Sequence, residues 1–215
     1  MSVSLILPQY SICVSLIPGW DEWNTLLMNS RYYNYTLNRN GQKFRYGNNY
    51  KRGDYYPEKI SDDSLDFLSR MASRKKHEDP NIKNRPFLLV TSFPSPHGPE
   101  DTAPQYADKF FNATEHHTPS YNHAPNSDKQ WILRVTSEMT TMSKQFTDLL
   151  MTKRLQTLQS VDEAVDDMFK LLRTTKLLES TYVFYISDHG YHLGQYGLLK
   201  GVRNIIFGYE FYITL

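Results

Sequence analysis

Three places in this sequence set polar side chains where they could do chemistry. Asp188-His189-Gly190 puts a carboxylate beside an imidazole, with a glycine that lets the backbone turn away, and either side chain can ligate a divalent cation. Two donors fall short of the roughly six to eight oxygens that calcium takes, and a helix-capping Asp-His-Gly is the other reading of the same residues. Downstream, Tyr191-His192-Leu193-Gly194-Gln195-Tyr196-Gly197-Leu198-Leu199-Lys200-Gly201 carries one cation in a glycine-punctuated loop. Lys200 is either a point charge for an anion or an ordinary surface lysine. Far upstream, His97 stands in Phe93-Pro94-Ser95-Pro96-His97-Gly98-Pro99. Prolines fix φ and the glycine admits unusual conformations, so this loop holds its histidine rigidly. Cys13 is the only cysteine and supports neither an internal disulfide nor a cysteine-based metal site.

The elements around these residues follow from hydrophobic patterning. Pro86-Phe87-Leu88-Leu89-Val90-Thr91-Ser92 is a short apolar run and predicts a strand buried on both faces, leading into the His97 loop. Thr181-Tyr182-Val183-Phe184-Tyr185-Ile186-Ser187 predicts a second buried strand, leading into Asp188. Between them, residues 100–130 read as loop, and a helical pattern starts near Trp131, with Leu158, Val161, Val165, Met168 and Leu172 on a core-facing stripe. Upstream, Ser61 reads as the N-cap of a helix to Met71, with Asp62 and Asp63 in its first turn and Leu65, Leu68 and Met71 on one side. Arg74-Lys75-Lys76 reads as its solvated end rather than a polyanion patch. Residues 20–58, rich in Tyr, Asn, Arg and Gly, read as short strands and loops at the surface. Strand, helices, strand is the order of an α/β protein with a mostly parallel sheet. Ligands of such sheets bind outside the carboxyl ends of the strands, where His97 and the Asp188-His189 pair would both lie.

The 215 residues suit one domain or a piece of a larger one. With 24 basic and 23 acidic residues the net charge is +1, so no overall field draws the chain to nucleic acid or an anionic membrane. At 40% hydrophobic and 14% aromatic residues the chain is too apolar for disorder. The apolar start is broken by Pro8-Gln9-Tyr10 and preceded by no Lys or Arg. It therefore lacks the basic, unbroken pattern of a signal peptide and the length of a transmembrane segment. Asn34-Tyr35-Thr36 and Asn112-Ala113-Thr114 satisfy the N-glycosylation rule in polar surroundings, although such triplets also arise by chance.

Several motifs in order then point to a family: His97-Gly98-Pro99-Glu100-Asp101, Ala103-Pro104-Gln105-Tyr106, Thr118-Pro119-Ser120-Tyr121-Asn122, Ala124-Pro125-Asn126, Lys153-Arg154-Leu155-Gln156-Thr157-Leu158, and the stretch from Asp188 through Gly201. Together they resemble the sulfatase family, most closely the extracellular heparan sulfate 6-O-endosulfatases, with N-acetylglucosamine-6-sulfatase as a near relative. The resemblance runs over residues 18–201, leaving 1–17 as an off-pattern segment and 202–215 as a divergent tail. It implies an alkaline-phosphatase-like α/β fold with a mostly parallel sheet flanked by helices, here without its N-terminal strands, so that the chain is a fragment. It also implies Ca2+ and a formylglycine nucleophile made from a C-x-P-S-R cysteine. The hydrated aldehyde attacks sulfur, the sugar alcohol leaves, and sulfate is released as the aldehyde reforms. Carried over by motif, Asp188 and His189 match calcium ligands, and His97 and Lys200 match the sulfate-binding histidine and lysine. The implied partner is sulfated glycosaminoglycan, and the implied location is the secretory pathway, Golgi, cell surface or extracellular space.

The departures weigh against turnover by this chain alone. Cys13-Val14-Ser15-Leu16-Ile17 lacks the proline and arginine of the nucleophile motif. The family's earlier acidic pair on calcium, and its earlier lysine and histidine on sulfate, precede the matched region. Asn38 stands where the endosulfatases carry a cysteine, which removes a family disulfide. Three readings follow: part of a sulfatase that removes 6-O-sulfate from heparan sulfate glucosamine, a catalytically dead binder of sulfated glycans, or a phosphatase or phosphodiesterase of the same superfamily.

Overall fold

The computed structural model describes residues 2–9, 18–28, 31–47, 53–187 and 190–200. They divide into two compact units, Met1–Ala107 with Gln156–Thr181, and Asp108–Leu155 with Tyr182–Leu215.

The first unit holds a five-stranded sheet of β1 (Ser2–Gln9), β2 (Glu22–Leu27), β3 (Tyr35–Arg39), β4 (Gln42–Tyr46) and β5 (Phe87–Thr91), in the order β4-β3-β2-β1-β5. β1 runs parallel to both neighbours, with Leu5 opposite Trp23 on β2 and Val90 on β5. Residues 2–9 thus fill the middle of the sheet, although they precede the motif-bearing stretch. β2, β3 and β4 continue it as antiparallel neighbours. Arg39 pairs with Gln42, so Asn40 and Gly41 form a two-residue turn, at φ 50° and 89°. Positive φ at both positions is what the twist of a tight hairpin demands, and Asn-Gly is the pair that supplies it most readily. The Asn40 side chain also accepts the Trp23 N–H at 2.7 Å, tying the turn to β2.

Much of the segment expected at the surface is core instead. Trp23, Leu26, Tyr32, Tyr33, Tyr35, Leu37, Tyr55 and Tyr56 are all buried. Tyrosine carries a large apolar ring with one polar handle; the hydroxyls of Tyr32, Tyr33 and Tyr55 find backbone acceptors, while those of Tyr35 and Tyr56 are buried with no hydrogen-bond partner among the described residues. Asn38 is fully buried as well. Its Oδ1 accepts the Gly41 N–H at 2.8 Å, while its side-chain nitrogen has no hydrogen-bond partner among the described residues.

Helix α1 (Tyr56–Arg74) starts five residues before Ser61, which lies inside it. The start signal is Pro57, whose fixed φ suits the first turn and whose missing N–H is not needed there. The Tyr56 N–H is satisfied by the Tyr32 carbonyl, and Glu58 is the acidic residue of the first turn. Asp63, read from sequence as a first-turn acid, instead pairs with Arg39 of β3 at 2.5 Å. One end of α1 packs Tyr56 and Ile60 against Leu26, Tyr35 and Leu37. The other packs Phe67, Leu68 and Met71 against Leu172 and Leu177, with Phe87 and Leu89 of β5 on the same cluster. Arg70 grips Glu22 of β2 with two hydrogen bonds of 2.6 and 2.8 Å.

β5 is an edge strand in this order, and Leu88 is 42% exposed, against the expected burial on both faces. Side chains alternate along a strand, so the face carrying Phe87 and Leu89 is covered and the Leu88 face is not. The helix expected from Trp131 is interrupted: α3 (Trp131–Arg134) is a single turn, and α4 (Thr141–Thr174) begins seven residues later. A one-turn helix, α2 (Pro80–Lys83), follows α1. Val161 and Leu172 of the expected α4 stripe are buried, whereas Leu158, Val165 and Met168 are half-buried. Thr152, Gln156, Thr157 and Ser160 are buried too; Thr152 and Gln156 donate to the Phe110 and Ala107 carbonyls of the facing loops, while the Ser160 hydroxyl has no hydrogen-bond partner among the described residues. Residues 181–187 form no strand, and Tyr182, Phe184, Tyr185 and Ile186 are each more than half exposed. Their β-propensity reflects how well they fit a covered, pleated surface, and no ladder among the described residues extends over them.

Candidate functional site

In the first unit, β5 hands the chain to the proline-rich turn that carries His97, and buried tyrosines fix that turn from below. Tyr32 donates its hydroxyl to the His97 carbonyl at 2.8 Å, Tyr55 to the Asp101 carbonyl at 2.9 Å, and Tyr33 to the Thr102 carbonyl at 3.3 Å. The rings support one another, Tyr55 lying 5.6 Å from Tyr32 in a stacked pair and 5.1 Å from Tyr33. Burial pushes the Tyr55 hydroxyl far above the usual phenol range, so it stays protonated as a donor. Farther along, Gln156 of α4 accepts from the Thr102 hydroxyl at 3.1 Å and donates to the Ala107 carbonyl at 3.0 Å. Residues 97–107 are thereby held at five backbone or side-chain points. His97 is exposed, with Nδ1 2.8 Å from the Gly98 carbonyl. A carbonyl only accepts, so Nδ1 carries the proton and Nε2 is the nitrogen left to face a ligand.

In the second unit, two motif segments far apart in sequence lock together. Tyr121 bridges Gln195, the Asn122 N–H donates to the Gly194 carbonyl, and the Tyr196 N–H donates to the Ser120 carbonyl, both at 2.8 Å. Gly194 sits at φ +95°, and a Cβ there would lie 2.4 Å from the Tyr121 ring; Gly197 sits at φ +73°, with a Cβ position 2.5 Å from the Ser137 carbonyl oxygen. Both sites admit only glycine, and the tight loop they allow leads to Lys200, which is exposed. Tyr191 lies under the Arg154 guanidinium, 3.6 Å from its ring centroid, a cation–π contact that fixes the start of the loop.

The same unit brings His116 and His117 to Asp148 on α4. The Asp148 Oδ1 is 3.0 Å from the His116 Nε2 and 2.7 Å from the His117 Nε2. Burial, then the neighbouring His117, lower the proton affinity of His116 against the opposing pull of Asp148. His117 stacks on Tyr121 at 4.0 Å, whose hydroxyl is 2.8 Å from that of Thr147. The Gln195 amide donates to the His116 carbonyl at 2.8 Å. Nothing in the sequence singled out this cluster, since 31 residues separate His117 from Asp148.

Among the residues named from sequence, His97 therefore belongs to the first unit and Lys200 to the second. Asp188, His189 and Cys13 lie outside the described residues. As donors, Asp188 and His189 offer one carboxylate and one imidazole where calcium takes about six to eight oxygens, so the pair does not make up a calcium site. Asn34 and Asn112 are both exposed, as a glycan acceptor must be, with Asn34 at φ 52° and its Oδ1 3.3 Å from Arg45. No helix among the described residues is long and apolar enough to cross a membrane.

The chain is 58% identical to the extracellular sulfatase SULF-1 homolog of Drosophila melanogaster, over 86% of this chain and 16% of that protein. It is 40% identical to human N-acetylglucosamine-6-sulfatase, over 92% of this chain and 33% of that protein. It thus spans about a sixth to a third of the length of these relatives. A solved structure described in complex with its substrate D-glucosamine-2-N,6-O-disulfate superposes with a TM-score of 0.68, covering 99% of this chain and 52% of that one at 16% identity. The α/β fold is accordingly that of the sulfatases. A family profile described as Sulfatase matches residues 17–207, a stretch that contains both the tyrosine-braced His97 turn and the glycine-locked Lys200 loop, and the chain belongs to the sulfatase family.

Proposed function

We propose that this chain is part of a sulfuric ester hydrolase acting on the 6-O-sulfate of glucosamine in heparan sulfate, and that its own share of the work is to bind sulfate. The 58% identity to an extracellular sulfatase carries this reading. His97 and Lys200 are the proposed sulfate-binding residues. Because Nδ1 of His97 is engaged by the Gly98 carbonyl, Nε2 can donate to a sulfate oxygen only in the imidazolium form. Lys200 contributes a charged donor without a fixed geometry. Asp188 and His189 are proposed as two of the calcium ligands of the same enzyme, and Asn34 and Asn112 as glycan acceptors on a protein of the secretory pathway.

The absence of a C-x-P-S-R cysteine favours a second reading for the 215-residue chain by itself, a binder of sulfated glycan without turnover. Heparin-column retention distinguishes the outcomes. Retention should weaken in both His97→Ala and Lys200→Ala, by about tenfold in affinity for each charged hydrogen bond lost. It should also weaken when the ligand lacks its 6-O-sulfates. Unchanged retention in both variants would remove the site assignment, and release of inorganic sulfate by this chain alone would overturn the binding-only reading.

A further inference from the structure

We propose that His116, His117 and Asp148 form a site for one divalent transition-metal ion of zinc-like preference, a reading independent of the sulfate-binding one. One ligand atom from each of the three side chains lies within 4.8 Å of the others. The Asp148 Oδ1 is common to both close approaches, at 3.0 Å from the His116 Nε2 and 2.7 Å from the His117 Nε2. Zinc bonds of about 2.0–2.1 Å place tetrahedral ligands about 3.3 Å apart, so small ring and carboxylate rotations would open the cluster to fit the ion.

A hydrogen-bonded triad accounts for only part of this arrangement. His117 makes a hydrogen bond to Asp148, but both ring nitrogens of His116 lack a hydrogen-bond partner among the described residues. Its Nε2 is close to the carboxylate in distance without the direction of an N–H···O bond. The His116 side chain is only 3% exposed, so water does not satisfy it, and a buried unsatisfied polar group is costly. A cation at the point where His116, His117 and Asp148 meet would take the lone pair that His116 leaves unused.

The surroundings match what a metal site requires outside its ligands. Tyr121 stacks on His117 and sets its ring plane, Gln195 holds the His116 backbone, and Asp148 is carried by the rigid α4. Such supporting contacts fix ligand orientation and strengthen binding. Two imidazoles and one carboxylate suit zinc, cobalt, nickel or copper and disfavour calcium, which prefers oxygen. His117 and Asp148 are partly exposed, with 36% and 41% of their side chains accessible, so a fourth position is open to water. Bound there, the ion would pin the 116–117 segment to α4, close to where Gln195 anchors the Lys200 loop.

Calorimetric titration of the 215-residue chain with Zn2+ alone, and with Co2+ as a visible-absorption probe, tests this. One saturable equivalent is expected, retained in excess Ca2+, with the d–d bands of a nitrogen- and oxygen-ligated low-coordinate cobalt. His117→Ala and Asp148→Ala should each weaken zinc binding by at least about tenfold, and His123→Ala should leave it unchanged. His116→Ala disturbs a buried position, so the two partly exposed variants decide the matter. Absence of zinc binding by the wild-type chain, equal binding by His117→Ala and Asp148→Ala, or displacement of zinc by equimolar calcium would each overturn the proposal.

Discussion

Gly194→Ala lowers the stability of the second unit by about 2–5 kcal/mol. Two costs add: a non-glycine residue at positive φ loses about 1–2 kcal/mol, and forcing extra volume into a packed site costs about 1–3 kcal/mol. The new Cβ would stand 2.4 Å from the Tyr121 ring and 2.8 Å from the Met139 methyl. Met139 is flexible and can move, but Tyr121 is held through its hydroxyl by Thr147 and by its stack on His117. The 194–122 hydrogen bond and the 121–195 bridge are therefore what yields, and the Lys200 loop is released with them. Urea unfolding should show the lowered midpoint, and heparin retention should fall as in Lys200→Ala although no charge has been removed. Gly53→Ala is the matched control, since Gly53 shares the positive φ, at +91°, while its Cβ would meet nothing within 4 Å. Equal midpoints for the two variants would show that the 118–122 and 193–198 segments do not interlock.

Tyr55→Ala has the larger effect in the first unit, a loss of about 3–5 kcal/mol, as for other large buried aromatic residues cut back to alanine. Tyr55 is fully buried, contacts both Tyr32 and Tyr33, and holds the Asp101 carbonyl. Removing it leaves a ring-sized cavity and frees the loop that follows His97. Tyr55→Phe keeps the packing and loses only the hydroxyl contact, about 1 kcal/mol. Amide hydrogen exchange separates stability from positioning: protection of residues 98–102 should drop in both variants, while global stability falls strongly in Tyr55→Ala alone. Unchanged exchange in that loop with Tyr55→Phe would mean that the hydroxyl does not position it.

The comparison between sequence and structure turns on how local each signal is. β5 was legible because a proline-bounded apolar run is a local pattern, and α1 because its apolar spacing is. The start of α1 was misplaced because a serine followed by two aspartates imitates a first turn, whereas Pro57 and the Tyr32 carbonyl set it. The Asn40-Gly41 hairpin carried a strong local signal within a stretch read only by its composition. Residues 181–187 failed as a strand because a strand exists only with neighbours, which no window of sequence contains. At the candidate site, His97 and Lys200 are proposed from motifs. The tyrosines beneath His97 are not, because counting Tyr as a surface residue hides the acceptors that allow its burial. His116, His117 and Asp148 converge only through the packing of α4, a nonlocal fact.

Residues 182–186 also bear on how this chain behaves in a test tube. Tyr-Val-Phe-Tyr-Ile is uncharged, free of proline and glycine, and made entirely of strand-forming residues, with four of the five more than half exposed. Such a stretch, open to water, can pair with a copy of itself and stack into an ordered aggregate. Concentration then becomes a variable of the protein in its own right. Light scattering should rise steeply with protein concentration, and a single lysine at Phe184, acting as a gatekeeper charge, should suppress it.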